Sequence, residues 1–176
     1  MKRKISASKL MIAVIVLLVV VIAAAAYLNR QNTEDLGGDA DGSLTVVREE
    51  ETVREFSYEE ICSMESVSFE KEIVSSNKDG ESGLYKGVPL REILSAADPS
   101  ILTECGSVTA RAVDGFVSAY SMSEVVGSDS IVVVYEKDGE PLKKKSEGGN
   151  GPLRIVAKDD TYGTRSTMYL TQIEVS

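Results

Sequence analysis

The chain has 176 residues, with 28 acidic and 19 basic side chains, and it contains no histidine and no tryptophan. The lack of histidine excludes Ser–His and Cys–His nucleophile pairs as well as histidine-containing zinc sites. Residues 1–30 hold five basic side chains and no acidic one, so the rest of the chain has a net charge of −14 (19 − 5 = 14 basic against 28 acidic), which argues against nucleic acid as a partner.

An uninterrupted apolar run, LMIAVIVLLVVVIAAAAYL, occupies residues 10–28. As a helix it spans roughly 28 Å, close to the thickness of the hydrocarbon core of a bilayer. A basic tail (1–9) precedes it and an acidic stretch follows, so the positive-inside rule predicts a cytoplasmic N-terminus and an extracytoplasmic C-terminal part. We predict a retained single-pass anchor in the cell membrane. The alternative is a signal peptide cleaved near the alanines at 23–26.

The remaining sequence predicts a flexible linker at 29–42 and one folded domain at 43–176. The first half of the domain alternates strand and helix patterns. It contains a strand at 43–48, a short helix opened by a Ser57–Glu60 capping box, a strand at 66–74 with Lys71 breaking its apolar alternation, a loop at 75–83, and an amphipathic helix at 88–97 with Pro89 in its first turn.

The second half of the domain is richer in strand patterns. It contains a hairpin of 107–113 and 116–120 around an Asp114-Gly115 turn, a second capping box of Ser121 and Glu124, a central strand at 130–136, a mobile loop at 143–151, a buried strand at 153–157 and a final apolar set within 167–176. Because strands outnumber the short helices, the sequence predicts an α+β domain.

Several short sequence segments of the domain, taken in their order along the chain, resemble those of a known family. They are YKGVPLREIL (85–94), ARAVDGF (110–116), IVVVYEKDGEPL (131–142), GPLRIVAKDDTYGTRS (151–166) and YLTQIEV (169–175). Together they resemble the molybdopterin-binding domain of the sulfite oxidase family over residues 57–176. The resemblance implies the compact mixed-sheet fold of that family and molybdopterin as the candidate cofactor.

The resemblance also shows where this chain departs from the family. The family's enzymes hold molybdenum through a cysteine thiolate upstream of the GVPL segment, and the matching passage here, residues 69–80, contains no cysteine. Cys62 lies before it and Cys105 lies beyond it. A hydroxyl such as that of Ser75 is a poor substitute for a soft thiolate. We therefore identify no metal ligand and assign no catalytic residue.

The resemblance implies a cofactor-binding turn before the last strand, where the family wraps the pterin pyrophosphate. The matching residues are Gly163, Arg165 and Ser166, with Met168 at a position where the family has lysine. Arg154, in the preceding strand, is a further candidate, because arginine offers two parallel bonds to a phosphate. The alternatives are that Arg165 pairs with Asp159 or Asp160 and that Arg154 is an edge or interdomain charge.

Four smaller features allow structural interpretations. Cys62 and Cys105 are either joined as a disulfide or separate buried thiols. The basic run Lys143–Lys145 is either a solvated loop or a contact for lipid headgroups. Asp114 is predicted to form its turn through the local backbone. Four glycines are predicted to serve a positive φ or a close approach: Gly87, Gly115, Gly139 and Gly163.

Three functional hypotheses follow from these patterns. The first is a non-catalytic extracytoplasmic module that binds a pterin-like or other anionic small molecule, or a partner protein. The second is an active molybdenum oxidoreductase with atypical metal ligation. The third is a structural ectodomain of a membrane complex. We favour the first, because the scaffold matches a cofactor-binding family while the first metal ligand is missing, and function depends on the site rather than on the fold.

Overall fold

The structure is a computed structural model that describes residues 17–18, 20–21, 39–75 and 78–176. Residues 39–176 form one unit with its own core. The predicted tail at 1–9, most of the predicted anchor at 10–28 and the linker up to residue 38 lie outside the described residues. Within the described part, no helix is long and apolar enough to cross a membrane.

Strands dominate the domain, and its helices are short. The strands are β1 Leu44–Arg48, β2 Glu51–Phe56, β3 Val67–Ser75, β4 Lys78–Pro89, β5 Ser107–Ala112, β6 Val117–Ser121, β7 Ile131–Lys137, β8 Glu140–Pro141, β9 Arg154–Ala157 and β10 Leu170–Val175. The α-helices are α1 Tyr58–Ser63, α2 Leu90–Ala97, α3 Ile101–Glu104 and α4 Met122–Gly127, and single 3₁₀ turns occur at Lys145–Glu147 and Gly163–Arg165.

The strands form two sheets. The first has the order β2-β1-β10-β5-β6, in which β1 and β10 run parallel and the other neighbours run antiparallel. The second has the order β3-β4-β7-β8, with β9 also pairing with β7, and all its pairs are antiparallel. The predicted α+β class with mixed sheets and few helices is confirmed.

The position of β7 explains its apolar sequence. It lies between β4 and β9, and its side chains are buried on both faces of the sheet. Val133 belongs to the main core, which both sheets and the helices share, whereas Val132 and Val134 belong to a smaller cluster on the other face with Tyr85 and Val156. An alternating pattern is absent because neither face of this strand meets water.

The two predicted capping boxes have different outcomes. At α1 both bonds are present: the Glu60 amide donates to the Ser57 hydroxyl, and the Ser57 amide donates to the Glu60 carboxylate. At α4 the Glu124 amide donates to the Ser121 hydroxyl at 3.2 Å. The Glu124 carboxylate binds Arg165 instead of the helix N-terminus, so the second box is only half formed.

Some predicted boundaries are wrong. The loop predicted at 75–83 is wrong for Ser75 and for 78–83, because β3 extends to Ser75 and β4 already begins at Lys78 and pairs with β3. Helix α2 begins at Leu90 and not at 88, since Val88 and Pro89 still pair with β7. The charged edge strand β2 was not predicted, because only its last residue, Phe56, is buried.

The turn and glycine predictions are confirmed. The Asp114 carboxylate accepts a hydrogen bond from the Phe116 amide at 3.1 Å. Gly115 and Gly139 have φ of +84° and +83°, which residues with a Cβ rarely adopt. A Cβ on Gly87 would lie 2.2 Å from the Val133 carbonyl oxygen, so this glycine allows the close approach of β4 and β7.

Two further observations concern the start of the domain and its thiols. Within the predicted linker, Asp39 is hydrogen-bonded to Ser146 and Ala40 is 3% exposed, so the last residues of the predicted linker pack against the domain. Cys62 and Cys105 are both free thiols, and Cys105 is buried in the main core. The structure therefore contains the separate thiols and not the disulfide.

Candidate functional site

The turn that carries Gly163, Arg165 and Ser166 packs against the end of β3. Tyr162 forms an isolated parallel bridge with Val74. A Cβ on Gly163 would lie 2.4 Å from Cγ2 of Ile73, so glycine is needed for this packing. The turn closes on itself, because the Ser166 amide donates to the Gly163 carbonyl at 3.1 Å.

The guanidinium of Arg165 is held by two carboxylates. Its Nε and Nη2 donate to the two oxygens of Asp160 at 2.7 and 2.6 Å. Its Nη1 and Nη2 donate to the two oxygens of Glu124 at 3.1 and 2.7 Å. The guanidinium also lies 5.1 Å from the centre of the Tyr120 ring, and the Tyr120 hydroxyl donates to the Arg165 carbonyl. The pairing with Asp160 that the sequence allowed is present.

The charged groups of this cluster shift each other's pKa values. Hydrogen bonds with Asp160 and Glu124 raise the pKa of Arg165, and the hydrogen bonds that Arg165 donates hold the pKa of both carboxyls below their usual values. Burial raises the pKa of Tyr120 to about 12. One cation and two anions leave the trio with a net charge of −1 at neutral pH. An incoming phosphate would therefore meet a neutralised arginine.

Arg154 lies in a second cluster, at the start of β9, and its side chain is only 5% exposed. Its Nη1 donates to Glu81 at 3.0 Å. Glu81 also accepts from Lys137 at 3.0 Å and from the Asn150 amide at 3.3 Å. The Arg154 Nε and the hydroxyl of the fully buried Tyr85 have no hydrogen-bond partner among the described residues.

Glu81 is the central residue of the second cluster. Burial alone would raise its pKa, but the hydrogen bonds from Lys137 and Arg154 outweigh burial, and the pKa of Glu81 lies below its usual value. Burial raises the pKa of Tyr85. The cluster covers the smaller apolar cluster beside β7 and joins the hairpin of β3 and β4 to β9.

The two candidate arginines share no carboxylate partner, since Arg154 binds Glu81 and Arg165 binds Asp160 and Glu124. Sequence reasoning missed Glu81, which lies in the predicted loop at 75–83, and it assigned Glu124 only to a capping box. Lys71 was the one sequence signal for a contact in this region, because it breaks the apolar alternation of β3. Its ammonium group donates to the backbone carbonyls of Lys158, at 2.7 Å, and of Asp160.

The residues present do not fit a molybdenum ion held by cysteine. The passage that would carry the thiolate, residues 69–80, runs from within β3 to the start of β4 and contains no cysteine. The thiols are elsewhere: Cys62 is in α1, and Cys105 follows α3. In the part of the chain that the structure describes, no group of three or more histidine, cysteine, aspartate or glutamate side chains could hold a metal ion.

A shallow groove runs along the hairpin of β3 and β4. Its lining includes the carboxylates of Glu70, Glu72 and Asp138 and one ammonium group, that of Lys71. The three carboxylates outnumber the single ammonium group, so the groove has a net negative charge. The Lys71 ammonium is also already bonded to backbone carbonyls. The groove is a poor surface for an anionic ligand.

Comparisons with known proteins agree on the fold. The family model described as oxidoreductase molybdopterin binding domain matches residues 39–176. Among solved structures, the crystal structure of the sulfane dehydrogenase SoxCD from Paracoccus pantotrophus is similar, with a TM-score of 0.62 and 17% identity. The match covers 77% of this chain and 38% of that chain, so it supports the fold alone. No curated protein matches the chain.

Proposed function

The chain belongs to the oxidoreductase molybdopterin-binding domain family through residues 39–176. Within this family we propose that it is a non-catalytic member whose function is to bind another molecule. In this proposal residues 10–28 anchor it in the cell membrane, and the domain lies outside the cytoplasm. The apolar run and the charges around it support that placement.

The observation that carries the non-catalytic role is the connection of β3 to β4. The family resemblance places the metal-binding thiolate within residues 69–80, and here these residues, which run from β3 to the start of β4, contain no cysteine. A soft thiolate suits this metal chemistry, and a hydroxyl is a poor substitute because it stays protonated. The chain also lacks histidine for proton transfer.

The electrostatics favour a protein partner over a pterin-like anion. Arg165 already makes four hydrogen bonds to carboxylates, and Arg154 is bonded to Glu81 and nearly inaccessible. A phosphate would have to displace Asp160 or Glu124 from Arg165 before it could bind. We therefore propose a partner at the membrane, such as a subunit of a membrane complex, as the binding target.

Family membership itself favours one second candidate, a molybdenum oxidoreductase with atypical ligation. The two candidates differ in a measurable way. The full chain should be purified in detergent from cells that make molybdopterin, with elemental analysis for molybdenum and fluorescence of the oxidised extract for pterin. We expect neither in stoichiometric amount.

Each other outcome points to a different function. Stoichiometric molybdenum with pterin would overturn the non-catalytic role. Pterin without molybdenum, lost in Arg165→Gln but kept in the matched surface variant Arg111→Gln, would replace the protein partner by a pterin-like ligand. Arg111 serves as the control because it is a surface arginine paired with Glu174 at 2.6 Å.

A further inference from the structure

The cations of the domain are not equally available to a partner. Residues 39–176 contain 14 basic and 26 acidic side chains, a net charge of −12. All six arginines of the domain lie within 4 Å of a carboxylate: Arg48, Arg54, Arg91, Arg111, Arg154 and Arg165. Lys86 and Lys137 are also paired with carboxylates.

Lys71 and Lys158 have no carboxylate partner among the described residues, but Lys71 donates to backbone carbonyls and Lys158 lies over the Phe69 ring. Lys143, Lys144 and Lys145 are the consecutive lysines that also lack a carboxylate partner. None of them forms a salt bridge with a carboxylate of the described residues, and Lys143 and Lys145 are exposed. The Lys145 ammonium lies 5.3 Å from the centre of the Tyr169 ring. Three neighbouring cations are therefore free to meet an anionic surface.

This basic run lies where the chain enters the domain. The Ser146 amide donates to Oδ1 of Asp39 at 2.9 Å, and the Ser146 hydroxyl donates to Oδ2 of the same carboxylate. Ala40 is buried immediately afterwards. The first described residue of the domain is thus fixed to the residue that follows Lys145.

Three carboxylates around the run balance its charge, and each of them already accepts hydrogen bonds from neighbouring backbone or hydroxyl groups. Asp39 is bound by Ser146, Asp41 accepts from the Ser43 amide and hydroxyl, and Glu147 accepts from the Lys144 amide. The charges of the three lysines and these three carboxylates sum to zero, whereas residues 39–176 as a whole have a net charge of −12. This end is therefore neutral, and an anionic surface repels it less than it repels the acidic domain as a whole.

In the anchoring proposed above, the length of the linker limits how far this end can lie from the membrane. Ten residues, 29–38, separate the apolar run from Asp39. They reach at most about 35 Å when fully extended and roughly 18 Å as a flexible coil. Brief contacts between the basic run and the headgroups are therefore frequent, and attraction at short range decides whether they persist.

We propose that Lys143–Lys145 bind the anionic phospholipid headgroups of the membrane that holds the chain, and so orient the domain on its surface. The contact rests on the membrane anchoring proposed above. Each lysine near an anionic surface strengthens such a contact roughly fivefold at physiological salt. Screening by added salt weakens it, because the Debye length is about 8 Å at physiological ionic strength.

The test uses the full chain in nanodiscs of phosphatidylcholine alone or mixed with phosphatidylglycerol. Amide hydrogen exchange is measured for peptides covering residues 140–150. We expect exchange about fivefold slower in the anionic discs than in the neutral ones, with the difference lost at high salt and in the triple variant Lys143→Gln, Lys144→Gln, Lys145→Gln. Lys158→Gln, whose ammonium lies over Phe69, should keep it.

A failure of the lipid contact can be distinguished from a failure of the membrane anchoring. Equal exchange in both kinds of disc, with the chain retained, would overturn the lipid contact and leave the anchoring intact. Protection that is seen in native membranes but absent from anionic discs would also overturn it, and would indicate a protein at the basic run. Release of the chain by alkaline carbonate would overturn both the anchoring and the lipid contact.

Discussion

Arg154 and Arg165 show two different uses of an arginine within one domain. The Arg154 side chain is 5% exposed, shares Glu81 with Lys137 and leaves its Nε without a partner among the described residues. The Arg165 side chain is 34% exposed and makes four hydrogen bonds to two carboxylates. The arginine with fewer bonds is the more buried one.

The comparison shows that the number of ion pairs is a poor measure of stabilisation. Near the surface, water and salt compensate for a broken pair, so each pair contributes little. In the interior, removing one partner leaves a charge that water cannot reach, which is costly even when the intact pair contributes little net stability. We therefore expect the Arg154 cluster to be sensitive to single changes and the Arg165 cluster to tolerate them.

The largest expected effect is at Glu81. Glu81→Gln removes the carboxylate that faces a buried guanidinium and should lower the free energy of unfolding by about 3 kcal/mol. Arg154→Met should cost less, because Glu81 keeps Lys137 and Asn150 as partners. Urea denaturation of the detergent-solubilised chain measures both changes.

The control for this pair is Glu72→Gln, an exposed carboxylate of β3 with no salt bridge among the described residues. It should change the free energy of unfolding by less than about 0.5 kcal/mol. If Arg154→Met were the more damaging of the two core changes, the interpretation of Arg154 as a buried charge in need of Glu81 would be wrong.

An intermediate effect on stability is expected at Gly163, where a substitution tests the packing of the Arg165 turn without changing its ion pairs. In Gly163→Ala the new methyl group would meet Cγ2 of Ile73 at 2.4 Å, and we expect a loss of about 1–2 kcal/mol in the free energy of unfolding. Gly127→Ala is the matched control, since nothing lies within 4 Å of its Cβ position. Equal stability of the two alanine variants in thermal denaturation would show that the turn is not fixed by β3.

The smallest effect is expected at Glu124. Glu124→Gln leaves Arg165 paired with Asp160 and should cost about 0.5–1 kcal/mol at neutral pH. The pKa of Glu124 is lowered in the folded state, so its contribution is complete above its usual value of 4.5 and is lost as the pH falls through the folded value.

Urea denaturation of wild type and Glu124→Gln across pH 3–7 measures this dependence. The gap between the two chains should begin to close below about pH 4.5, where Glu124 of the unfolded chain takes up a proton, and should vanish once the pH is below the lowered pKa of the folded state, where Glu124 is electrostatically similar to glutamine. A gap that widened towards acid pH would mean that the Glu124 carboxylate destabilises the folded domain.

Sequence reasoning succeeded where the determining contacts are local. The Ser57–Glu60 box and the Asp114 turn each depend on groups at most three residues apart, and both were predicted. The central position of β7 followed from its unbroken apolar run, because only a strand buried on both faces has that pattern. The family resemblance added the compact mixed-sheet fold of the whole domain, which no local pattern contains.

The candidate site was only partly predictable. Gly163, Arg165 and Ser166 do lie in one turn, and their role in binding a cofactor stays a prediction. Glu124 is 41 residues from Arg165 in the chain, and Glu81 is 73 residues from Arg154. Acidic residues are frequent in this chain, so no spacing or periodicity distinguishes the carboxylates that meet an arginine from those that face water.

The sequence by itself determined the α+β class, the family, the missing thiolate and the acidity of the domain, because these depend on residue identity and short-range pattern. Only the tertiary structure decided that the candidate arginines are neutralised by the chain's own carboxylates, and that the free lysines lie beside the entry at Asp39. Both facts depend on contacts between distant segments, which form only when the two sheets pack around their common core.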